Sequence, residues 1–269
     1  MPAKAAKLWA RVADRLRING SHRVYWHLGR PNFGDDINPW FYSRLSGADH
    51  RWGGSDRTHV LGIGSIAAKL SGLSVVMGSG FIEPVLRTRL ARPASVLAVR
   101  GELSAEILGG DIPHLGDPLS LIDLLLPAPA PAPDAPWGFV PHARNYHAYR
   151  EALRRRPEIT VIDPRAKPLA VVAAIGRCAR VASQSLHGLI VADAYRIPSQ
   201  WIAPTDVMVG GEFKFRDYFT TLDRPKPPVP FAAFLARPDD VPFERAAYRH
   251  NKAAYLRALT EALRPPPAD

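Results

Sequence analysis

A single cysteine, Cys178, stands in 269 residues, which excludes an internal disulfide framework and a cysteine-rich zinc site. The nine histidines show no H-E-x-x-H or comparable pairing, so metal ligation has no support. No apolar run approaches the ~20 residues of a membrane-spanning helix. Met1-Pro2-Ala3-Lys4 lacks the charged-then-apolar layout of a secretory signal, and the expected compartment is the cytoplasm. Also missing are an arginine stripe interleaved with aromatics and any zinc-finger spacing. Nucleic acid is therefore the weakest partner for a net charge of +10. Acidic small molecules and an anionic membrane surface remain, beside a solvated arginine-rich surface of the kind a GC-rich genome encodes.

What is present is ordinary globular material, 46% hydrophobic and 22% charged, enough to bury a core. Residues 3–18 read as a helix with Leu8, Val12 and Leu16 on one face and Lys4, Lys7, Arg11 and Arg15 beside it. That helix either packs on the protein surface or rests on an anionic membrane. Short apolar runs follow at Val24–Leu28, Thr58–Ile63, Ser74–Met77, Ser95–Val99 and Ile112–Leu115. Helical stretches at Ile37–Leu45, Ile66–Leu70, Leu103–Leu108 and Leu119–Leu125 separate them. Strands alternating with helices predict an α/β fold around a parallel sheet covered on both faces.

Residues 127–136 are proline and alanine apart from Asp134, a composition that joins neither a helix interior nor a central strand. Beyond them the alternation resumes. Strands are expected at Phe139–Val140, Ile159–Ile162, Arg180–Ser183 and Ser199–Ile202, with helices at Tyr146–Arg154, Leu169–Gly176 and Gly188–Tyr195. The predicted layout is a basic helix at 1–20, an α/β domain at 21–126, a linker at 127–136 and a second α/β domain at 137–223. A proline-rich tail at 224–269 ends in a helix near Phe243–Leu263. A cleft between the two halves is the expected ligand site.

Six segments carry chemistry at expected strand ends. In Asn32-Phe33-Gly34-Asp35-Asp36 an acid caps the next helix, or Asn32 and Asp35 bind sugar hydroxyls. Gly62-Ile63-Gly64-Ser65 and Gly78-Ser79-Gly80 make tight turns, or bare their backbone N–H groups to an anion or sugar. Arg100, closing Val99-Arg100-Gly101, forks onto a carboxylate or phosphate, or pairs with Glu102 or Glu106. Asp117 in Gly116-Asp117-Pro118 is read as a helix cap. The strongest segment is Ser183-Gln184-Ser185-Leu186-His187-Gly188, an apolar strand running into an apolar helix. Ser183, Ser185, His187 and the first-turn N–H groups converge there on an anion, and the histidine transfers protons near neutral pH. The bland alternative is a buried histidine bonded to a carbonyl. Ser185 and His187 are too close in sequence for a triad, and no G-x-S-x-G elbow is present.

In this order the motifs resemble the polysaccharide pyruvyl transferase family. Asn32-Phe33-Gly34-Asp35 is similar to its N-x-G-D motif. The two glycine turns, Val99-Arg100-Gly101 and Gly116-Asp117-Pro118 are similar to its following segments, and Leu186-His187-Gly188-Leu189-Ile190-Val191-Ala192 resembles its R-L-H-G signature. The resemblance covers Val24 to Leu222 and is closest to the short relatives of xanthan and succinoglycan assembly. It implies two Rossmann-like domains in a GT-B-like arrangement, with the acceptor on the first and the donor phosphoenolpyruvate on the second. It implies no cofactor, and a sugar acceptor on a lipid-linked oligosaccharide at the inner face of the cytoplasmic membrane. His187 and Asp35 would be catalytic. Arg100, Ser183, Ser185, Leu186, Lys214, Arg216, Asn32, Gly64, Ser65, Gly78, Ser79 and Gly80 would bind substrate. Ser185 stands where the signature has arginine, so Lys214 or Arg216, in Phe213-Lys214-Phe215-Arg216-Asp217-Tyr218, would supply the missing charge. The rivals are a GT-B glycosyltransferase using a nucleotide sugar and a non-catalytic module binding anionic glycan or membrane.

Overall fold

The computed structural model of the chain describes residues 23–54, 56–129 and 136–264. The expected helix at 3–18 and most of the proline segment lie outside these residues. The fold is mixed α/β, with two parallel sheets. The first holds six strands: β1 (Arg23–Tyr25), β2 (Arg51–Trp52), β3 (His59–Leu61), β4 (Ser74–Met77), β5 (Ser95–Val99) and β6 (His114–Leu115), in the order β2-β1-β3-β4-β5-β6. The second holds β7 (Trp137–Val140), β8 (Ile159–Val161), β9 (Arg180–Ser183) and β10 (Ser199–Trp201), in the order β10-β9-β7-β8.

Each sheet reverses its direction of growth once. In the first, the chain runs from β1 out to the edge strand β2 and returns to β3 on the other side of β1. In the second, β7 leads to the edge strand β8 and the chain returns to β9. Connections diverge at such a point, leaving a crevice beyond the strand carboxyl ends. Val24, Leu61, Val76, Val99, Phe139, Val140, Val181 and Ala182 are all buried in the strands, as sheets covered on both faces require.

Helices cover the faces: α1 (Phe33–Asp36), α2 (Asn38–Ser46), α3 (Glu102–Leu108), α4 (Ile122–Leu125), α5 (Tyr146–Ala152), α6 (Pro168–Gly176) and α7 (Leu186–Ala194). Three more follow the second sheet, α8 (Phe213–Phe219), α9 (Phe231–Ala236) and α10 (Lys252–Ala262). All nine residues of α7 are buried. It lies against its own sheet and also against the 3-10 turn Pro118–Leu121 of the first half. One hydrophobic cluster runs through both halves, from Val24 and Phe33 to Val140 and Ile190.

Two expectations need correcting, and two elements were not expected. Ile66–Leu70 forms only the 3-10 turn Ala67–Lys69, because Leu70 turns extended at ψ 138. Arg51–Trp52 is a strand without an apolar run, formed by pairing with β1. α8 is a helix that no expected element covered. The last helix starts at Lys252, where the Asn251 side chain accepts from the Ala254 amide at 3.0 Å. Before it the chain is extended, bridging Ser199 to Glu244 and Leu222 to Tyr248.

Candidate active site

Both switch points open onto one cavity of about 390 Å³. From the first half it is lined by Tyr25 at the end of β1, by His27, Asn32 and Asp35 after it, and by Ser65, Ile66 and Lys69 after β3. From the second half come His142 after β7, Ser185, Leu186 and His187 after β9, and Lys214 after β10. Each follows a strand's carboxyl end, so the topology gathers residues from distant parts of the chain.

The loop after β1 is fixed by its own side chains. Asn32 Oδ1 accepts from the Gly34 amide at 3.3 Å, and Asn32 Nδ2 donates to Asp35 Oδ2 at 2.9 Å. Asn38 ties the loop to the next strand end, donating to the carbonyls of Asp35 (3.0 Å) and Ile63 (2.9 Å) and accepting from the Ile63 amide (3.1 Å). The Phe33 amide donates to the Pro164 carbonyl at 2.8 Å, joining the two halves beside the cavity.

Gly34 faces His187. A Cβ on Gly34 would overlap the imidazole ring, and the Phe33 ring meets it edge-on with centroids 6.2 Å apart. His187 is 7% exposed and its Nε2 is sealed from solvent without a hydrogen-bond partner. Nδ1 is thus the ring nitrogen left to serve the cavity. Burial, then the charges of Lys214 and Arg100, pushes His187 down to about 3. Ser185 precedes α7 in extended conformation with no side-chain cap. The amides of Leu186 and His187 donate to no acceptor among the described residues. A helix start with idle donors is a ready anion site.

Lys214 reaches the cavity from α8. Burial, then Arg100, lowers it to about 8 against the pull of Asp35. His142 is pushed down to about 4 by burial and then by Lys214 and Arg144. Lys214, His142 and His187 thus all resist taking on positive charge. An anion entering the cavity would relieve that resistance.

Arg100 is fully buried and lies behind the cavity wall. Its Nε donates to Asp217 (2.9 Å), Nη1 to Ser65 Oγ (2.7 Å) and Nη2 to the Phe81 carbonyl (2.5 Å). Asp217 also accepts from the Ser104 amide (2.8 Å) and hydroxyl (2.6 Å). The pair therefore anchors α8, and with it Lys214, to the first half. Gly101 lies so close to the Asp217 backbone that a Cβ would collide with its carbonyl. Gly80 leaves room for the Arg100 guanidinium. Gly78 and Gly64 adopt left-handed backbone at φ 103 and 120. Ser79 Oγ donates to the Gly64 carbonyl at 3.1 Å, and Ser183 Oγ to the Ser185 carbonyl at 2.7 Å. None of Gly64, Gly78, Ser79, Gly80 and Ser183 borders the cavity; they shape the turns that do. Arg216 points away and pairs with Glu212 at 2.5 Å on the surface.

The cavity unites Asn32, Asp35, Ser65, Ser185, Leu186, His187 and Lys214 of the expected residues, and adds Tyr25, His27, Lys69 and His142. His27 and His142 each lie two residues past a strand end, the one signal that marked them. No group of three or more metal-ligating side chains occurs among the described residues.

Comparison with known proteins adds the following. The family model described as polysaccharide pyruvyl transferase matches residues 9–206. A similar relative is the succinoglycan biosynthesis protein ExoV of Rhizobium meliloti (strain 1021), 30% identical over 208 residues. The match covers 74% of this chain and 64% of that relative, so it spans less than two thirds of the relative's length. No solved structure matches.

Proposed function

The chain belongs to the polysaccharide pyruvyl transferase family, and from that premise we propose that it moves pyruvate from phosphoenolpyruvate to a sugar of an exopolysaccharide or its lipid-linked precursor, closing a pyruvate ketal. The observation that carries this reading is the single cavity at both switch points. It is lined by Lys214, Leu186 and His187 on one side and by Asn32 and Asp35 on the other. We read the two sheets as a GT-B-like pair, with the acceptor side at 21–126 and the donor side at 137–223.

The donor has a carboxylate and a phosphate, and the cavity has donors for both. Lys214 and the Leu186 and His187 amides would hold them, where their charge also stabilises the departing phosphate. Ser65 Oγ is held by Arg100, which places a hydroxyl at the cavity edge. His187 Nδ1 would protonate the methylene carbon, leaving C2 oxocarbenium-like. A sugar hydroxyl then attacks C2 and gives its proton to Asp35. Phosphate leaves as a second hydroxyl of the same sugar closes the ketal and carries off that hydroxyl's proton, while the proton taken by Asp35 balances the one added to carbon. The chemistry calls for no metal or redox cofactor.

No helix among the described residues is long and apolar enough to cross a membrane. We place the protein in the cytoplasm, with residues 3–18 as its peripheral contact with the inner membrane face. The decisive test incubates enzyme, phosphoenolpyruvate and a lipid-linked oligosaccharide, and looks by mass spectrometry for added pyruvate with release of phosphate. His187→Ala should cost ~10²-fold or more in rate. Release of nucleotide from a nucleotide sugar, with no pyruvate gained, would replace this reading with glycosyl transfer.

A further inference from the structure

Asp117 follows β6 and is fully buried. Its Oδ1 accepts from the Leu119 amide at 3.0 Å and so caps the turn Pro118–Leu121. Capping leaves Oδ2 over. That oxygen has no hydrogen-bond partner among the described residues, and neither does Nε2 of His187. The two orphaned atoms face each other at 3.9 Å. Buried polar atoms without partners are rare in folded proteins, and these two lie next to each other across the contact between the halves. The contact is built in: α7 packs on the Pro118–Leu121 turn, and Gly34 and Phe33 hold the ring from the other side.

Resting on the pyruvyl-transfer reading, we propose that Asp117 is the positioning residue of His187: it engages Nε2 and exchanges a proton with it, while Nδ1 acts in the cavity.

The proton inventory explains why such a partner is needed. Alone, a histidine pushed down to about 3 carries no spare proton at neutral pH. Asp117 is pushed the other way, up to about 7, by burial, against the pull of the Leu119 and Gly64 amides and of Arg100. The groups around it are Arg100 and Asp217 on their ion pair, Tyr42 from α2, Tyr255 from α10 and Tyr248 beside it. Around His187 are Lys214 and Arg100. In the acid form Asp117 is a carboxylic acid donating to Nε2, and His187 carries its hydrogen on Nδ1. Transfer of the Nδ1 proton to the methylene carbon lets Nε2 take the Asp117 proton. The products are an aspartate accepting from Nε2–H and a bare Nδ1. One proton leaves the pair and one reaches carbon. The next proton from solvent resets it.

Nitrogen-15 NMR of histidine-labelled protein, without donor or acceptor, tests the pair directly. His187 should carry its proton on Nδ1 at pH 6 and on Nε2 at pH 8.5, with a midpoint near 7. In Asp117→Asn, which keeps the capping oxygen, the amide donates to Nε2 and should hold the proton on Nδ1 at both pH values. The same variant should lose ~10²- to 10⁴-fold in kcat for pyruvyl transfer, with KM for phosphoenolpyruvate moving less than about threefold. A ring that keeps one tautomer from pH 6 to 8.5 in the wild-type protein would overturn the proposal, whether or not the variant folds. So would an unchanged kcat in a folded Asp117→Asn. Because the NMR arm needs no turnover, failure to detect pyruvyl transfer in the wild-type protein would count against the functional reading alone.

Discussion

Gly34 gives the His187 ring its place, since any Cβ there would lie within the imidazole. The sequence shows that glycine as a turn residue, and only the packing shows what approaches it. Gly34→Ala must push the ring by about 1 Å, and displacement on that scale costs ~10²-fold in rate. Steady-state kinetics should therefore show a fall of about that size in kcat while circular dichroism stays unchanged; near-normal kcat would mean the ring position is unimportant. Lys214 yields a second expectation. Lowered to about 8, it is charged below that pH and neutral above it, and only the charged form attracts an anion. Hence kcat/KM for phosphoenolpyruvate should fall as pH rises through 8, and Lys214→Arg should remove that limb because arginine stays charged. A limb unmoved in Lys214→Arg would assign it to another group. Asn32, Asp35 and His187 were legible as candidates because motif residues at strand ends converge in parallel folds, whereas Lys214 was reached only through the family resemblance. Asp117 was legible only as a cap, because the oxygen left over by capping is visible only in three dimensions.

At the level of elements, α8 is the lever that brings Lys214 to the cavity. Phe215, Tyr218 and Phe219 are its buried face, at helical spacing, yet the flanking Gly210-Gly211 and the dense aromatics hide that period in the sequence. What fastens α8 to the first half is the fully buried Arg100–Asp217 pair with Ser104. Asp217→Asn would leave the Arg100 charge buried without its partner, a loss of ~3–5 kcal/mol. Urea unfolding should register that loss, and KM for phosphoenolpyruvate should rise with it if α8 loosens; a variant as stable as wild type would show that the pair anchors nothing. The parallel strands were largely legible because each is an apolar run closed by a turn. β2 was not, since a two-residue strand owes its existence to β1 and not to its own side chains. The final helix was overestimated for the opposite reason: Phe243 and Tyr248 are apolar enough to extend a helical pattern, but the backbones of Glu244 and Tyr248 bridge to Ser199 of β10 and to Leu222.

The whole molecule carries opposed proton linkages, and their balance sets its response to acid. Burial leads the shifts that push His142 and His250 down to about 4 and His187 to about 3. A histidine lowered on folding supports the fold fully above its ordinary 6.5 and withdraws that support as pH falls toward its folded value. Asp117 has the opposite sign: raised from 3.8 to about 7, it supports the fold in acid and loses that support as pH rises through this range. Three histidine shifts outweigh one carboxyl shift of similar size, so stability should rise from pH 4 to pH 6.5 and flatten above it. His250 allows the balance to be tested away from the cavity. Its ring is packed between Tyr248 and Tyr255, and neither nitrogen has a partner among the described residues. His250→Gln cannot take up a proton, so it should reduce the drop in Tm between pH 6.5 and pH 4.5 by ~5 °C. Scanning calorimetry across that range reads the difference, and a slope equal to wild type would exclude His250 from the acid response and shift it to His142 and His187.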